Sequence, residues 1–236
     1  MNCRVSVCIP TFNGGGYIRR QMETILSQLG ENDEVIISDD SSTDDTLSII
    51  ESFQDSRIKV FPGNTFYSPI FNMENALKQA SGEYIFMADQ DDVWMEGKVE
   101  SMLSVLDSYD LVVSDCMVVD EDENVIQSSL FRKLNSGKGF MKNMIKNTYI
   151  GCCMAFKRDV LSYVLPFPTN IPMHDGWIAM SVEYRRKKIF FLDKPLILYR
   201  RHGSNSSTCS EPSSRSLRDK IMDRWNLLFS ILKYSK

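Results

Sequence analysis

Tyr84-Ile85-Phe86-Met87-Ala88 runs directly into Asp89-Gln90-Asp91-Asp92. A short unbroken apolar run bounded by turn signals reads as a strand buried on both faces. Upstream, the same kind of segment recurs. Val5-Ser6-Val7-Cys8-Ile9-Pro10, Val35-Ile36-Ile37-Ser38 and Ile58-Lys59-Val60-Phe61 read as three earlier strands. Between them Ile18, Met22, Ile25, Leu26 and Leu29 fall at helical spacing, as do Leu47, Ile50 and Phe53. A further helix over 71–80 stops at Ser81-Gly82. Strands alternating with helices predict an α/β fold, with a mostly parallel central sheet and helices on both faces.

Downstream the pattern is less regular. Leu111–Ser114, Met117–Val119 and Val125–Gln127 read as short β segments, the last two joined by a turn over 120–124. Cys152–Lys157 reads as a strand and Trp177–Arg186 as a helix. Ile189–Phe191 and Leu196–Arg200 read as short strands around Pro195, and 202–213 as loop.

Ligands of open α/β sheets sit outside the carboxyl ends of the strands. Three polar clusters fall there: Pro10-Thr11-Phe12-Asn13, Asp39-Asp40-Ser41-Ser42 and Asp89-Gln90-Asp91-Asp92. Carboxylates one residue apart, as in Asp89-x-Asp91, can converge on a hard cation such as Mg²⁺, which takes one or two carboxylates plus substrate phosphate oxygens. Such a cation would neutralise a departing diphosphate. Asp39 and Asp40 have two readings, as helix-capping chemistry or as acceptors from a base N–H or ribose hydroxyl. Trp94 and Trp177 read as core or as sugar platforms.

At these residues the sequence resembles a known family. Val5 to Asn13, Ile36-Ile-Ser-Asp-Asp-Ser-Ser-Thr-Asp44 and Ala88-Asp-Gln-Asp-Asp-Val-Trp94 together resemble the family 2 glycosyltransferases of the GT-A fold, over roughly residues 3–205. The run Asp89 to Trp94 with Lys98, His174-Asp175-Gly176-Trp177, and Pro195 to Asn205 resemble the rhamnosyltransferase branch. The resemblance implies a GT-A domain over 1–212, followed by a C-terminal amphipathic basic helix over 213–236. It implies that Pro10, Thr11 and Phe12 contact the nucleoside, and that Asp40 binds its base. Asp89 would lie near ribose and metal, Asp91 would be the principal ligand for Mg²⁺ or Mn²⁺, and Asp175 would be the general base of an inverting transfer. Asn13, Asp39 and Gln90 join the donor-binding set. His202 either completes the metal shell or is an ordinary loop histidine, and Arg200 can pair with phosphate. The expected partners are a nucleoside-diphosphate sugar (dTDP-rhamnose before UDP-hexose) and a glycan or lipid-linked acceptor in cell-surface polysaccharide synthesis.

The bulk numbers exclude other classes. With 43% hydrophobic and 25% charged residues the chain is not disordered, and a net charge of −4 does not suit nucleic acid. No stretch reaches the roughly 18 apolar residues of a membrane span, and the N-terminus lacks the apolar core of a signal peptide, so a cytoplasmic protein is expected. Six cysteines without a Cys-x-x-Cys, and two histidines, argue for reduced thiols rather than a zinc site. Residues 214–236 carry a net +4, leaving −8 elsewhere. Leu217, Ile221, Trp225, Leu228 and Leu232 share one helical face there. That helix either packs on the domain or lies peripherally on the inner membrane face. Two rival functions are weighed. A non-catalytic nucleotide-sugar or carbohydrate binding module would not need Asp175. A nucleotidyltransferase would need a basic Gly-rich loop, whereas Asn13-Gly14-Gly15-Gly16 leads into Tyr17 and Ile18.

Overall fold

The computed structural model describes residues 3–203 and 216–234. The elements run in the order β1 (Val5–Thr11), α1 (Ile18–Leu26), β2 (Glu34–Asp39), α2 (Thr46–Glu51), β3 (Ile58–Phe61), α3 (Pro69–Gln79), β4 (Tyr84–Met87) and β5 (Val93–Trp94). There follow α4 (Lys98–Leu106), β6 (Leu111–Val119), β7 (Val125–Gln127), α5 (Leu130–Leu134), α6 (Phe140–Ile145) and β8 (Met154–Lys157). The last are α7 (Leu161–Val164), α8 (His174–Tyr184), β9 (Ile189–Arg200) and α9 (Leu217–Tyr234).

Among the described residues the strands form one sheet in the order β3-β2-β1-β4-β8-β6-β9-β5, with β7 paired outside β6. The first four are mutually parallel and β6 runs parallel to β9, while β8 is antiparallel to both its neighbours. The mostly parallel sheet expected from sequence is therefore present. Every residue of β1 and β2 except Pro10 is buried, as a sheet covered on both faces requires. The parallel register sets Thr11 opposite Asp39, and Cys8 opposite Met87. The three polar clusters consequently leave the sheet side by side.

The second half corrects several readings. Leu111–Ser114 and Met117–Val119 belong to one strand, β6, with a register irregularity around Asp115. Asp115 is fully buried there because its carboxylate accepts from Cys116 N, Phe131 N and Ser129 Oγ. Opposite it lies Pro195, so the two segments expected around that proline are likewise one strand, β9; a proline tolerates a sheet at such an irregularity. Gly151–Cys153 is a 3₁₀ turn, and the strand proper starts at Met154. The helix expected from Trp177 begins at His174, which places Asp175 in its first turn. No element was expected over 98–106, although Val99, Met102, Leu103 and Leu106 recur at helical spacing and are buried in α4. Residues 204–215, with Cys209 and the 212/213 boundary, lie outside the described residues.

One buried carboxylate joins the amino-terminal end of the sheet. Glu34 accepts from Ser6 Oγ, Ser81 N, Ser81 Oγ and Lys59 Nζ. Burial alone would raise its pKa; hydrogen bonds from Lys59, Ser6 and Ser81 outweigh this and hold it at about 2. A depressed carboxylate contributes stability above its unfolded pKa of 4.5 and loses it as pH falls through about 2. Glu34→Gln should therefore lower unfolding free energy at pH 7 by about 2 kcal/mol, allowing for solvent at the half-exposed Lys59. In urea titrations the difference from wild type should shrink as the pH drops from 4.5 towards 2.

Candidate active site

The carboxyl ends of β1, β2 and β4 border a cleft of about 630 Å³, closed on its far side by the start of α8 and the Ile150-Gly151 turn. Pro10, Thr11, Phe12, Asn13, Asp40, Asp89, Gln90, Asp91, Asp175 and His202 all reach it; Asp39 and Arg200 do not. A second cleft, of about 680 Å³, lies beside Val5 at the opposite strand end and takes in none of these residues.

Several polar residues of the cleft hold its walls rather than offer free groups to a ligand. Asp39 is fully buried: its carboxylate accepts from Thr11 Oγ1 (2.8 Å), Ser42 N and Ser42 Oγ. These bonds fix the turn that follows β2; α2 starts only at Thr46, so Asp39 does not cap it. Asp40 accepts from Phe66 N (2.6 Å) and Ser68 N (3.2 Å), so its carboxylate fastens the loop that presents the exposed ring of Tyr67. Asn13, in the left-handed region at φ 48°, accepts from Thr43 N through its side chain. Gln90 grips the backbone of Phe12 at both ends, accepting from its N–H (2.9 Å) and donating to its carbonyl (3.1 Å). A Cβ on Gly14 would lie 2.4 Å from Gln90 Oε1, so glycine is required for that grip. Arg200 also turns inward. Its backbone N donates to Asp92 Oδ1 and its guanidinium to the carbonyls of Asp91 and Glu121 and to Glu123 Oε1. The side chain expected to meet phosphate is a strut between β9, the acidic turn and the β6–β7 turn.

The acidic turn itself is under-satisfied. Asp91 Oδ2 lies 2.8 Å from His202 Nε2, and the imidazole stacks on Tyr17 with ring centroids 4.5 Å apart. Burial, then the charges of Asp91 and Asp175, push Asp89 up to about 7. Burial, then the charges of Asp91 and Asp89, raise Asp92, whose Oδ2 has no hydrogen-bond partner among the described residues. Ligand atoms of Asp89, Asp92 and Cys152 lie within 4.8 Å of one another. The Cys152 thiol, held protonated by its hydrogen bond with Cys153 and by burial, is a poor ligand for a hard cation. The carboxylates fit one well: they are crowded, oxygen-only and repel each other, and a divalent ion would relieve all three effects.

Asp175 faces this turn across the cleft. Its Oδ1 accepts from Gly176 N, with Asn147 Nδ2 at 3.5 Å, and burial raises its pKa to about 6. The first turn of α8 favours its anion. Beside it burial holds His174 neutral, down at about 4. His174, Gly151, Tyr17 and Tyr67 were not singled out as site residues from sequence. His174 stood inside the His-Asp motif, and Tyr67 had no signal beyond an aromatic just past a Pro-Gly-Asn turn. Trp94 and Trp177 are both core; Trp177 Nε1 donates to Val164 O.

A parallel sheet with a phosphate-compatible acidic turn at the carboxyl end of its fourth strand defines a GT-A type nucleotide-diphospho-sugar transferase fold. Residues 6–165 match Glycosyl transferase family 2, and the chain belongs to that family. Among curated relatives it is 29% identical to the dTDP-rhamnosyl transferase RfbG of Shigella flexneri, over 83% of this chain and 72% of that protein. It is 28% identical to the GalNAc(5)-diNAcBac-PP-undecaprenol beta-1,3-glucosyltransferase of Campylobacter jejuni, over 87% of this chain and 67% of that protein. S. aureus TarS 1-349, solved in complex with UDP-GlcNAc, superposes with a TM-score of 0.72 at 20% identity, over 98% of this chain and 66% of TarS. The chain thus spans just under two thirds of that structure's length.

The grip of Gln90 on Phe12 is testable on its own. Gln90→Ala removes two hydrogen bonds between the first and third clusters and should cost about 1–2 kcal/mol in urea unfolding. Gln90→Glu, which sets a carboxylate oxygen against the Phe12 carbonyl and adds charge to the acidic turn, should cost at least as much as Gln90→Ala.

Proposed function

We propose that the chain is an inverting, metal-dependent glycosyltransferase. It would move a sugar from a nucleoside-diphosphate donor, dTDP-rhamnose before UDP-hexose, to a hydroxyl of a glycan or lipid-linked acceptor in cell-surface polysaccharide synthesis. The observation that carries this reading is the placement of Asp175: a carboxyl with a pKa of about 6 in the same cleft as Asp89, Asp91 and His202. A single displacement needs one base within reach of the acceptor hydroxyl and no enzyme nucleophile. Asp175 would take the hydroxyl proton as the oxygen attacks the anomeric carbon, and the sugar–phosphate bond would break on the opposite side.

Asp89, Asp91 and Asp92, with His202, would hold Mg²⁺ or Mn²⁺. The ion would supply charge neutralisation for the leaving diphosphate. The exposed rings of Phe12 and Tyr67 border the cleft near Asp40 and offer faces on which a base can stack. The dTDP-rhamnose preference leans on the similarity to RfbG, and the lipid-linked acceptor on the printed substrate of the Campylobacter relative. Peripheral work at the inner membrane face follows from such an acceptor. Among the described residues no helix is long and apolar enough to cross a membrane.

Asp175→Asn should abolish sugar transfer, by at least about 10²-fold as for loss of a general base, while donor affinity stays within a factor of about two. Unchanged transfer would reject Asp175 as base; a donor bound but never turned over by wild type would favour a binding module. Because the base acts ionised, kcat/KM in saturating metal should fall about tenfold per unit as the pH drops below about 6. A pH profile flat through that region would count against the assignment.

A further inference from the structure

We infer that α6 and α9 together form a docking face for an anionic lipid bilayer, one layer behind Asp175. The inference deepens the proposed function, and rests on it only for the acceptor's being lipid-linked.

The two helices are joined at the surface. Arg224 of α9 donates from Nε (3.0 Å) and Nη2 (2.7 Å) to the carbonyl of Ile145, the last residue of α6. α9 packs inward through Leu227 and Ile231. Its other side is apolar and uncovered: Trp225 and Phe229, each 64% exposed, are flanked by Ile221, Met222 and Leu232. The sequence reading puts Ile221, Trp225 and Leu232 on one helical face that either packs on the domain or lies on the membrane; in the structure these three are exposed. α6 adds Met141 and Ile145, 68% and 70% exposed. Contiguous exposed apolar side chains of this size mark an interaction surface.

Charge selects the partner. Lys142 lies in α6 with Lys138 and Lys146 flanking it, and Arg218, Lys220, Arg224 and Lys233 lie in α9, against Asp219 and Asp223. The two segments, 138–146 and 217–234, carry a net +5 in a chain of net −4. Aromatic and aliphatic residues among lysines and arginines suit headgroups and acyl chains at an anionic interface. A second copy docking through the same face would set +5 against +5, which disfavours a symmetric dimer. The face also connects to the cleft. Asn147, two residues past α6, reaches Asp175, and a Cβ on Gly176 would touch both Asn147 (3.4 Å) and Leu227 of α9 (4.0 Å). An acceptor whose lipid tail stays in the bilayer would thus present its sugar on the side of the base.

Trp225 reports directly on this face, because the two other tryptophans, Trp94 and Trp177, are buried. Full-length protein is mixed with phosphatidylglycerol-containing vesicles and, separately, with pure phosphatidylcholine vesicles. Sedimentation with the anionic vesicles and a blue shift of Trp225 emission are expected, both weakening as salt screens the charges. Lys142→Ser and Lys146→Ser should each weaken partitioning about fivefold. Ile145→Ser and Phe229→Ser should reduce it further while leaving transfer to a water-soluble acceptor analogue unchanged. The inference is overturned by absence of sedimentation, by equal binding to neutral vesicles, by indifference to Ile145→Ser, or by a protein-concentration-dependent dimer that shifts Trp225 without lipid. Vesicle binding by a wild type that transfers no sugar would instead overturn the proposed activity and leave the docking face standing.

Discussion

A carboxylate taken out of water must be given hydrogen bonds or a counter-charge. The strand ends of this protein are organised around that requirement, and they meet it unequally. Glu34, Asp39, Asp40 and Asp115 are each buried and each accept from neighbouring backbone and hydroxyl donors. They fix the ends of β1 and β2, the irregularity within β6, and the loops around them. Asp92 and Asp175 are buried, and Asp89 is half-buried beside Asp92, with fewer donors, and their protons are correspondingly harder to remove. The satisfied carboxylates build the cleft; in the proposed function Asp89 and Asp91 act in it towards a cation and Asp175 towards a proton.

This division explains what was legible in the sequence. The apolar runs of β1, β2 and β4 and the clusters behind them follow from local patterning, and parallel register brings the clusters together without further information. Which member of a cluster faces the ligand does not follow from patterning. Asp and Asn that cap a loop and Asp and Asn that bind a base are the same residues in the same positions. Asp39, Asn13 and Gln90 are therefore indistinguishable from ligand contacts until their partners Thr11, Thr43 and Phe12 are placed. Arg200 is a similar case. Its sequence neighbour His202 reaches Asp91, while Arg200 itself is drawn inward by carbonyls of Asp91 and Glu121, which only the fold brings near.

The second half was harder to read because its long strands are interrupted. Asp115 in β6 and Pro195 in β9 each look like a strand end, and they lie opposite one another at one irregularity. The start of α8 was missed because His174, Asp175 and Gly176 do not mark a helix by propensity; yet this start gives Asp175 its helix-terminal position. For α9 the apolar period was visible, but period alone does not say which face packs. Leu227 and Ile231 do, and the residues left outside give the molecule an exposed apolar surface among basic residues.

In the proposed function the crowded acidic turn is a cation-dependent diphosphate site. Thermal unfolding with a nucleoside diphosphate, in the presence of Mg²⁺ or Mn²⁺ and again in EDTA, tests it most directly, since a ligand of the native state raises Tm by mass action. A rise that requires the metal, and that disappears in Asp91→Asn, is the expected result. An equal rise in EDTA, or none in either condition, would contradict it.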